Sequence, residues 1–306
     1  VSNKIIRVLV NRAGGAAAAA GSDLADSLAA AFAAAGAEAQ IQLLEGSEMC
    51  EAIREAAGEG RVVVAGGDGT AACAAEAIAG SDAELALLPL GTLNHLARDL
   101  TIPNAIEDAA KLAVEGEAVA IDLGQVNDHR FVNNASIGLY PFMVRHREGY
   151  RSRNGWPKWL ASIPAAWDAL SRLPHHRLRI DMGRGEKPLV TPLLFVGNNV
   201  YSLESGTVGS RASLRDGALS VYAVARRSRF ALLWFGVRAM LGRVDRAIDF
   251  VALGECSSLT VTSPSRSGLI DVALDGEIRR LSFPLRFEIL PGALKIVSPP
   301  EEPVAA

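Results

Sequence analysis

Two short stretches combine glycines with polar side chains in a pattern that suits polyphosphate binding: Gly66-Gly67-Asp68-Gly69-Thr70 and Pro89-Leu90-Gly91-Thr92-Leu93-Asn94. Glycines let the backbone approach a bulky anion and turn N–H groups toward it. Asp68 adds one carboxylate, suited to a metal ion travelling with the phosphates, and Thr70 stands where a helix would begin. Neither loop is a Walker sequence, since no Gly-Lys-Ser/Thr occurs in the chain, and the spacing does not fit the dinucleotide fingerprint Gly-x-Gly-x-x-Gly. For the first loop by itself, a strand-to-helix turn without a ligand is an equal alternative. A second loop of similar chemistry one β-α unit later favours the ligand.

The elements around these loops have to hold them at one edge. Val62-Val63-Val64-Ala65 and Leu85-Ala86-Leu87-Leu88 are buried-type strands, and each loop precedes a stretch of helical composition. Both loops should therefore leave the same end of one parallel sheet, where open α/β sheets bind ligands. Upstream, Ile5 to Val10 reads as a strand ending in Asn11-Arg12-Ala13-Gly14-Gly15, followed by the low-complexity run Ala16 to Ala20. Ser22 caps a helix from Asp23 to Ala35 with Leu24, Leu28 and Phe32 on one stripe and Gly36 as its stop. A strand at Ala39–Leu44, a helix at Ser47–Ala57, a helix at Thr70–Ile78, and helices from Asn94 and over Ala105–Val114 complete the pattern. Beyond Asp122 the texture becomes short β segments with hairpin signals at Asn127-Asp128, Asp216-Gly217 and Asp275-Gly276. We expect an α/β nucleotide-binding domain over residues 1–122, built on a parallel sheet. A β-rich, antiparallel, sandwich-like domain follows over 123–298, with the last segment, about 284–298, returning to the first domain and 299–306 a tail.

The chain has 306 residues and a formal net charge of −3, so strong nonspecific attraction to nucleic acid is not expected. Its three cysteines, Cys50, Cys73 and Cys256, are too scattered for a metal site or a disulfide framework, which reads as a reducing, cytoplasmic compartment. The N-terminus enters a β-like run without a signal peptide. The longest aliphatic-aromatic run, Phe230 to Val237, is too short to span a bilayer, so any membrane contact is peripheral. Two stretches, Arg145 to Arg179 and Arg226 to Arg246, mix arginines with aromatics. Each is either a helix packed on the sheet or an interfacial surface.

The two loops, with His95-Leu96-Ala97-Arg98-Asp99-Leu100 and Ile102-Pro103 running on from the second, resemble the catalytic domain of the diacylglycerol kinase and sphingosine kinase family. The resemblance extends from Ile5 to about Val297. It implies the NAD kinase-like α/β fold with a β-rich second domain, ATP and Mg²⁺ as cofactors, and a lipid substrate reached peripherally at the membrane surface. Nucleic acid is not an expected partner, and the oligomeric state is open between monomer and homodimer. By the same resemblance Asn11, Gly14, Gly66, Gly67, Asp68, Gly69, Thr70, Gly91, Thr92, Asn94 and Arg98 stand on the nucleotide side. Asp275 and Glu277, in Asp275-Gly276-Glu277, match the segment whose aspartate is the general base; Glu277 is a supporting or metal-network carboxylate. Asp-Gly between β segments is, by residue type alone, more often a hairpin turn. Asp216, with the carbonyls of Ser213 and Ala218, matches a structural Mg²⁺ motif, and Asp122 the aspartate joined to that metal through water.

Three positions depart from the family pattern. Ala72 and Cys73 replace an amide and a glutamate, and His95 replaces an aspartate; imidazole cannot replace an acidic Mg²⁺ ligand in kind. The expected activity is transfer of the γ-phosphoryl group of ATP to a lipid hydroxyl, with diacylglycerol first and ceramide or a sphingoid base second. The alternatives are a NAD kinase-like activity on a soluble substrate and a non-catalytic nucleotide- or lipid-binding regulator.

Overall fold

The computed structural model describes residues 4–13, 23–138, 176–201, 211, 213–224, 250–264 and 268–300. Gly14, most of the Arg145–Arg179 stretch and the whole of Arg226–Arg246, including Phe230–Val237, lie outside the described residues.

Up to Val126 strand and helix alternate: β1 (Lys4–Asn11), α1 (Asp23–Ala34), β2 (Ala37–Leu44), α2 (Gly46–Ala56), β3 (Arg61–Gly66), α3 (Asp68–Ile78), β4 (Glu84–Pro89), α4 (His95–Asp99), α5 (Ile106–Glu115) and β5 (Glu117–Val126). There follow β6 (His129–Phe131), β7 (Asn134–Gly138), β8 (His176–Asp181), β9 (Lys187–Thr191), β10 (Leu193–Asn198), β11 (Leu219–Val224), β12 (Phe250–Cys256), β13 (Ser258–Thr262), β14 (Leu269–Leu274), β15 (Glu277–Ser282) and β16 (Leu285–Ser298). The chain forms two units, one of residues 1–123, 213–215 and 290–306, the other of 124–212 and 216–289.

In the first unit the strand order is β2-β1-β3-β4-β16, with β1–β2, β1–β3, β3–β4 and β4–β16 all paired in parallel. Alternation along the strands explains the layers. Val8, Val10, Val63, Ala65, Ala86 and Leu88 share one core with Leu24, Leu28 and Phe32 of α1 and Ala109, Ala110 and Ala113 of α5. The residues between them, Leu9, Val62, Val64, Leu85 and Leu87, are buried as well, so the other face needs its own cover. There α2 and α3 pack on each other and against β1 and β3. Near-continuous apolar runs are the expected signature of such two-sided burial.

The second unit is antiparallel. One sheet runs β12-β11-β10-β7-β14-β15; the other runs β9-β8-β13 and the first half of β16. Alternate residues of both, such as Ile137, Val196, Val221 and Val272 against Leu178, Val261, Leu285 and Phe287, form one apolar core. This is the α/β parallel-sheet unit and the antiparallel β-rich unit that the sequence leads one to expect. Among the described residues, no helix is long and apolar enough to cross a membrane.

Several expectations shift. Helix α3 starts at Asp68 rather than Thr70, because Gly67 takes the extended N-cap conformation and its carbonyl already accepts from Thr70 and Ala71. Among the described residues, Asp216-Gly217 joins no two strands and precedes β11. The larger correction concerns cysteine. Cys50 on α2 and Cys73 on α3 form a disulfide with Cα atoms 5.5 Å apart, across a sequence separation of 23. The intervening strand returns the chain so that the two helices lie side by side, which residue spacing does not reveal. The inference of a reducing compartment from scattered cysteines thereby loses its basis. Cys256 is the free cysteine, and burial pushes its thiol up to about 11.

A thiol count checks the pairing. Denatured without reductant, the protein should expose one reactive thiol, Cys256; after reduction it should expose all three. Three thiols before reduction would remove the bridge.

Candidate functional site

The phosphate-type loops are brought together by strand register. Gly66 pairs with Pro89 at the ends of β3 and β4, and Val10 pairs with Ala65, so β1, β3 and β4 release their loops along one edge. The loops touch backbone to backbone. A Cβ on Gly91 would stand 2.5 Å from Gly67 Cα, and one on Gly67 would stand 3.1 Å from Gly91 Cα. A Cβ on Gly66 would overlap the Thr70 side chain. Gly66 and Gly91 are thus required by the protein's own packing, and Gly67 is tightly placed. Gly69 differs: it is exposed, and a Cβ there would meet nothing within 4 Å.

Side chains lock the arrangement. Asn11 Nδ2 donates to Thr70 Oγ1 (2.8 Å), and Asn11 Oδ1 accepts from the Ala13 N–H (3.0 Å), tying the end of β1 to the first turn of α3. Asn94, at φ 48°, accepts from the Gly91 N–H at Oδ1 (3.0 Å) and donates from Nδ2 to the Gly91 carbonyl (2.9 Å), closing the second loop on itself. Asp68 Oδ1 accepts the His95 N–H (2.6 Å), so the carboxylate of the first loop holds the start of α4 in the second. Thr70 and Asn94 are buried, whereas Thr92 and Arg98 are exposed. The N–H groups of Asp68 and Gly69 open α3 with no preceding turn to bond, and they carry the positive end of its dipole. Enclosed space beneath the loops is about 10 Å³, room for at most one water, so an anion would sit over the loops.

Asp275 lies in the second unit, in the β14–β15 turn. Both Asp275 (φ 47°) and Gly276 (φ 91°) are left-handed, as a two-residue type I′ turn requires. Its side chain does more than fit the turn. Oδ1 accepts the N–H groups of Asn133 (2.7 Å) and Asn134 (3.1 Å), and Oδ2 accepts that of Val132 (2.7 Å). Burial pushes the carboxyl above the ordinary aspartate range, while the three N–H donors and the nearby Arg211 charge pull the other way. A carboxylate has about four acceptor positions, so three such bonds leave one, on Oδ2. Glu277 is exposed and pairs with Arg279 (3.2 Å) on the surface.

The remaining acidic positions divide by burial. Asp216 is exposed; its Oδ2 has a long 3.4 Å contact with the Val200 N–H, and its own N–H donates to Asn199 Oδ1 (3.1 Å). The Ala218 carbonyl accepts from the Asn199 N–H (3.0 Å), and Ser213 Oγ accepts from the Arg215 N–H (3.0 Å). Asp122 is 3% exposed and accepts the Gly292 N–H at Oδ1 (2.9 Å), which gives it a role in joining β5 to the turn in β16. Among the described residues, no cluster of three or more His, Cys, Asp and Glu could hold a metal. Sequence reading missed Asn133, Asn198, Tyr201 and Arg211, the polar groups around Asp275. They stand in no motif and are brought together only by the strands.

The two glycine loops are apposed in a parallel α/β unit, and an antiparallel β unit follows in the chain. Residues 5–126 match the diacylglycerol kinase catalytic domain. A Cronobacter sakazakii protein named "Probable lipid kinase YegS-like" is 38% identical over 141 residues, covering 44% of each chain. A Yersinia pestis protein of the same name is 49% identical over 83 residues, 26% of this chain and 28% of that one. These matches span less than half the length of either relative. The fold likeness is wider: a crystal structure of a diacylglycerol kinase from Bacillus anthracis aligns over 97% of both chains with TM-score 0.66 and 20% identity. Another from the same organism, a candidate diacylglycerol kinase, aligns over 97% of this chain and 96% of that one, with TM-score 0.72 and 22% identity. The resemblance first seen in the loops thus recurs in the domain match, and the fold is shared along the chain.

The loop contact has a direct test. Gly91→Ala drives a Cβ into backbone that cannot yield and should lower unfolding free energy by about 1–3 kcal/mol, the scale of overpacking. Gly69→Ala, in open space on a helix, should leave stability unchanged or raise it by up to about 1 kcal/mol. Denaturant melts of the two variants read the difference; equal effects would contradict the packing.

Proposed function

We propose that the protein is an ATP-dependent lipid kinase that transfers the γ-phosphoryl group to a hydroxyl of a lipid acceptor, diacylglycerol first and ceramide or a sphingoid base second. The observation that carries this is the pair of loops held edge to edge in the segment that matches the diacylglycerol kinase catalytic domain. Gly69 and the free N–H groups opening α3 would receive phosphate oxygens, with the Gly91–Asn94 loop beside them. Arg98 and Thr92, both exposed, remain available to a ligand.

In the reaction the acceptor oxygen attacks the γ-phosphorus, the bond from that phosphorus to the β–γ bridging oxygen breaks, and ADP leaves. The hydroxyl proton passes to Asp275, whose Oδ2 keeps an acceptor position. A carboxyl raised by burial is a better proton acceptor near neutral pH than an ordinary aspartate. Mg²⁺, when bound, would offset phosphate charge. A separate, structural Mg²⁺ would be held by the Asp216 carboxylate with the Ser213 and Ala218 carbonyls, hard oxygen donors of the kind Mg²⁺ takes, and Asp216 is exposed. Membrane contact is proposed as peripheral.

Incubation with Mg²⁺ and radiolabelled ATP against diacylglycerol, ceramide, sphingosine and NAD should place label on a lipid. Label on NAD alone, or ATP bound with no label anywhere, would overturn the proposal. Gly69→Ala should weaken ATP binding while the fold stays intact, since its Cβ would project into the open space where the phosphates are proposed to sit.

Asp275→Asn should lower kcat by about 10²-fold or more, the scale of a general base, with ATP affinity little changed. Because the base must be ionised and its carboxyl is raised, kcat should fall on the acid side with a midpoint above about 3.9, the ordinary aspartate value. An acid limb at or below that value, or a fully active Asn variant, would remove Asp275 from the role.

A further inference from the structure

We propose that Arg211 is a positioning residue for the transfer reaction: its buried guanidinium fixes the Val132–Asn133 peptide and the Asn133 side chain, behind the N–H groups that hold the Asp275 carboxylate. This rests on the reading of Asp275 as the proton acceptor.

The geometry is a relay through two consecutive peptide groups. Arg211, 5% exposed, donates from Nη1 to the Val132 carbonyl (2.6 Å) and from Nη2 to Asn133 Oδ1 (2.8 Å). The other end of that same Val132–Asn133 peptide, the Asn133 N–H, donates to Asp275 Oδ1. One residue on, the Asn133 carbonyl accepts from the Tyr201 hydroxyl (2.8 Å) and the Asn198 N–H (2.9 Å), while its partner, the Asn134 N–H, again donates to Asp275 Oδ1. Asn198 Nδ2 adds a second donor to the Val132 carbonyl (2.7 Å), and the Arg211 guanidinium lies 5.6 Å from the centre of the Tyr201 ring. Each peptide is therefore gripped at its oxygen from one side and presents its hydrogen to the carboxylate on the other.

Two physical effects follow. Charge-assisted bonds to the carbonyl are short and directional, so the turn cannot rotate its N–H groups away from Asp275. They also polarise the amide, which strengthens its N–H as a donor. A guanidinium is costly to bury, and an apolar side chain of similar volume would serve a purely structural role more cheaply. Among the described residues, the charged and polar groups acting on the carboxyl are Arg211 and the N–H groups of Val132, Asn133 and Asn134; the neighbouring Glu277 is turned to Arg279 on the surface.

Full-length wild type, Arg211→Gln, Arg211→Lys and Asp275→Asn are compared in two measurements: lipid phosphorylation kinetics across pH, and the ¹³C carboxyl titration of Asp275 followed by NMR. Loss of the positive charge raises the carboxyl pKa, and the base works only when ionised, so Arg211→Gln should move the acid limb of kcat and the NMR midpoint to higher pH. It should also lower kcat by about tenfold or more, below the ~10²-fold scale of a misplaced reacting group, with KM for ATP nearly unchanged. Arg211→Lys, which keeps the charge without the fork, should restore the midpoint more fully than kcat. If Asp275→Asn is inactive while both Arg211 variants keep wild-type kcat and midpoint, this inference fails and the general-base reading stands. If wild type phosphorylates no lipid, the proposed function fails and the positioning role falls with it, whatever the titration shows. Should Arg211→Gln not fold, a wild-type midpoint and kcat in Arg211→Lys would overturn it equally.

Discussion

The first unit depends on one close approach, that of the Gly67 and Gly91 backbones. Parallel pairing of β3 and β4 brings Gly66 level with Pro89, and the chain then has no room for a side chain where the two loops meet. From this contact the rest follows in order. Asp68 can reach the His95 N–H, Asn94 can close its own loop, and Asn11 can meet Thr70. Three strand ends thus share one hydrogen-bonded rim.

The glycines of such a loop are usually explained by the anion they admit. Here two explanations separate by position. Gly66 and Gly91 are demanded by Thr70 and by the Gly67 backbone, whereas Gly69 faces open space. Only the last is left to be explained by something outside the chain. The disulfide between Cys50 and Cys73 joins α2 to α3, the helix that the first loop enters, and so adds a covalent tie a single turn beyond Thr70.

The second unit poses a different problem: holding a half-buried carboxylate in one orientation. Three N–H donors would by themselves favour the ionised form, and burial opposes them. The balance is struck by groups far apart in the chain, since Asp275 and the turn it meets are separated by 141 to 143 residues. Arg211 reaches the same turn from 78 and 79 residues away. The sheet order makes these meetings possible, because some neighbouring strands, such as β7 and β14, lie far apart in sequence.

What the residue order determined by itself was local. Apolar runs marked β3 and β4, the Leu24, Leu28 and Phe32 stripe marked α1, and the shift from β-α alternation to short strands marked the change of architecture. Asp275-Gly276 carried its own turn, because left-handed backbone at both positions selects those residue types. Tertiary structure alone decided the rest. Cys50 met Cys73 because packed helices bring together residues that no periodicity links, Asp122 met the Gly292 N–H, and Arg211 came to stand behind the peptides that hold Asp275. The physical reason is common to all three: periodicity and turn chemistry act over a few residues, whereas these contacts exist only once strand register and sheet packing have set which distant residues share a space.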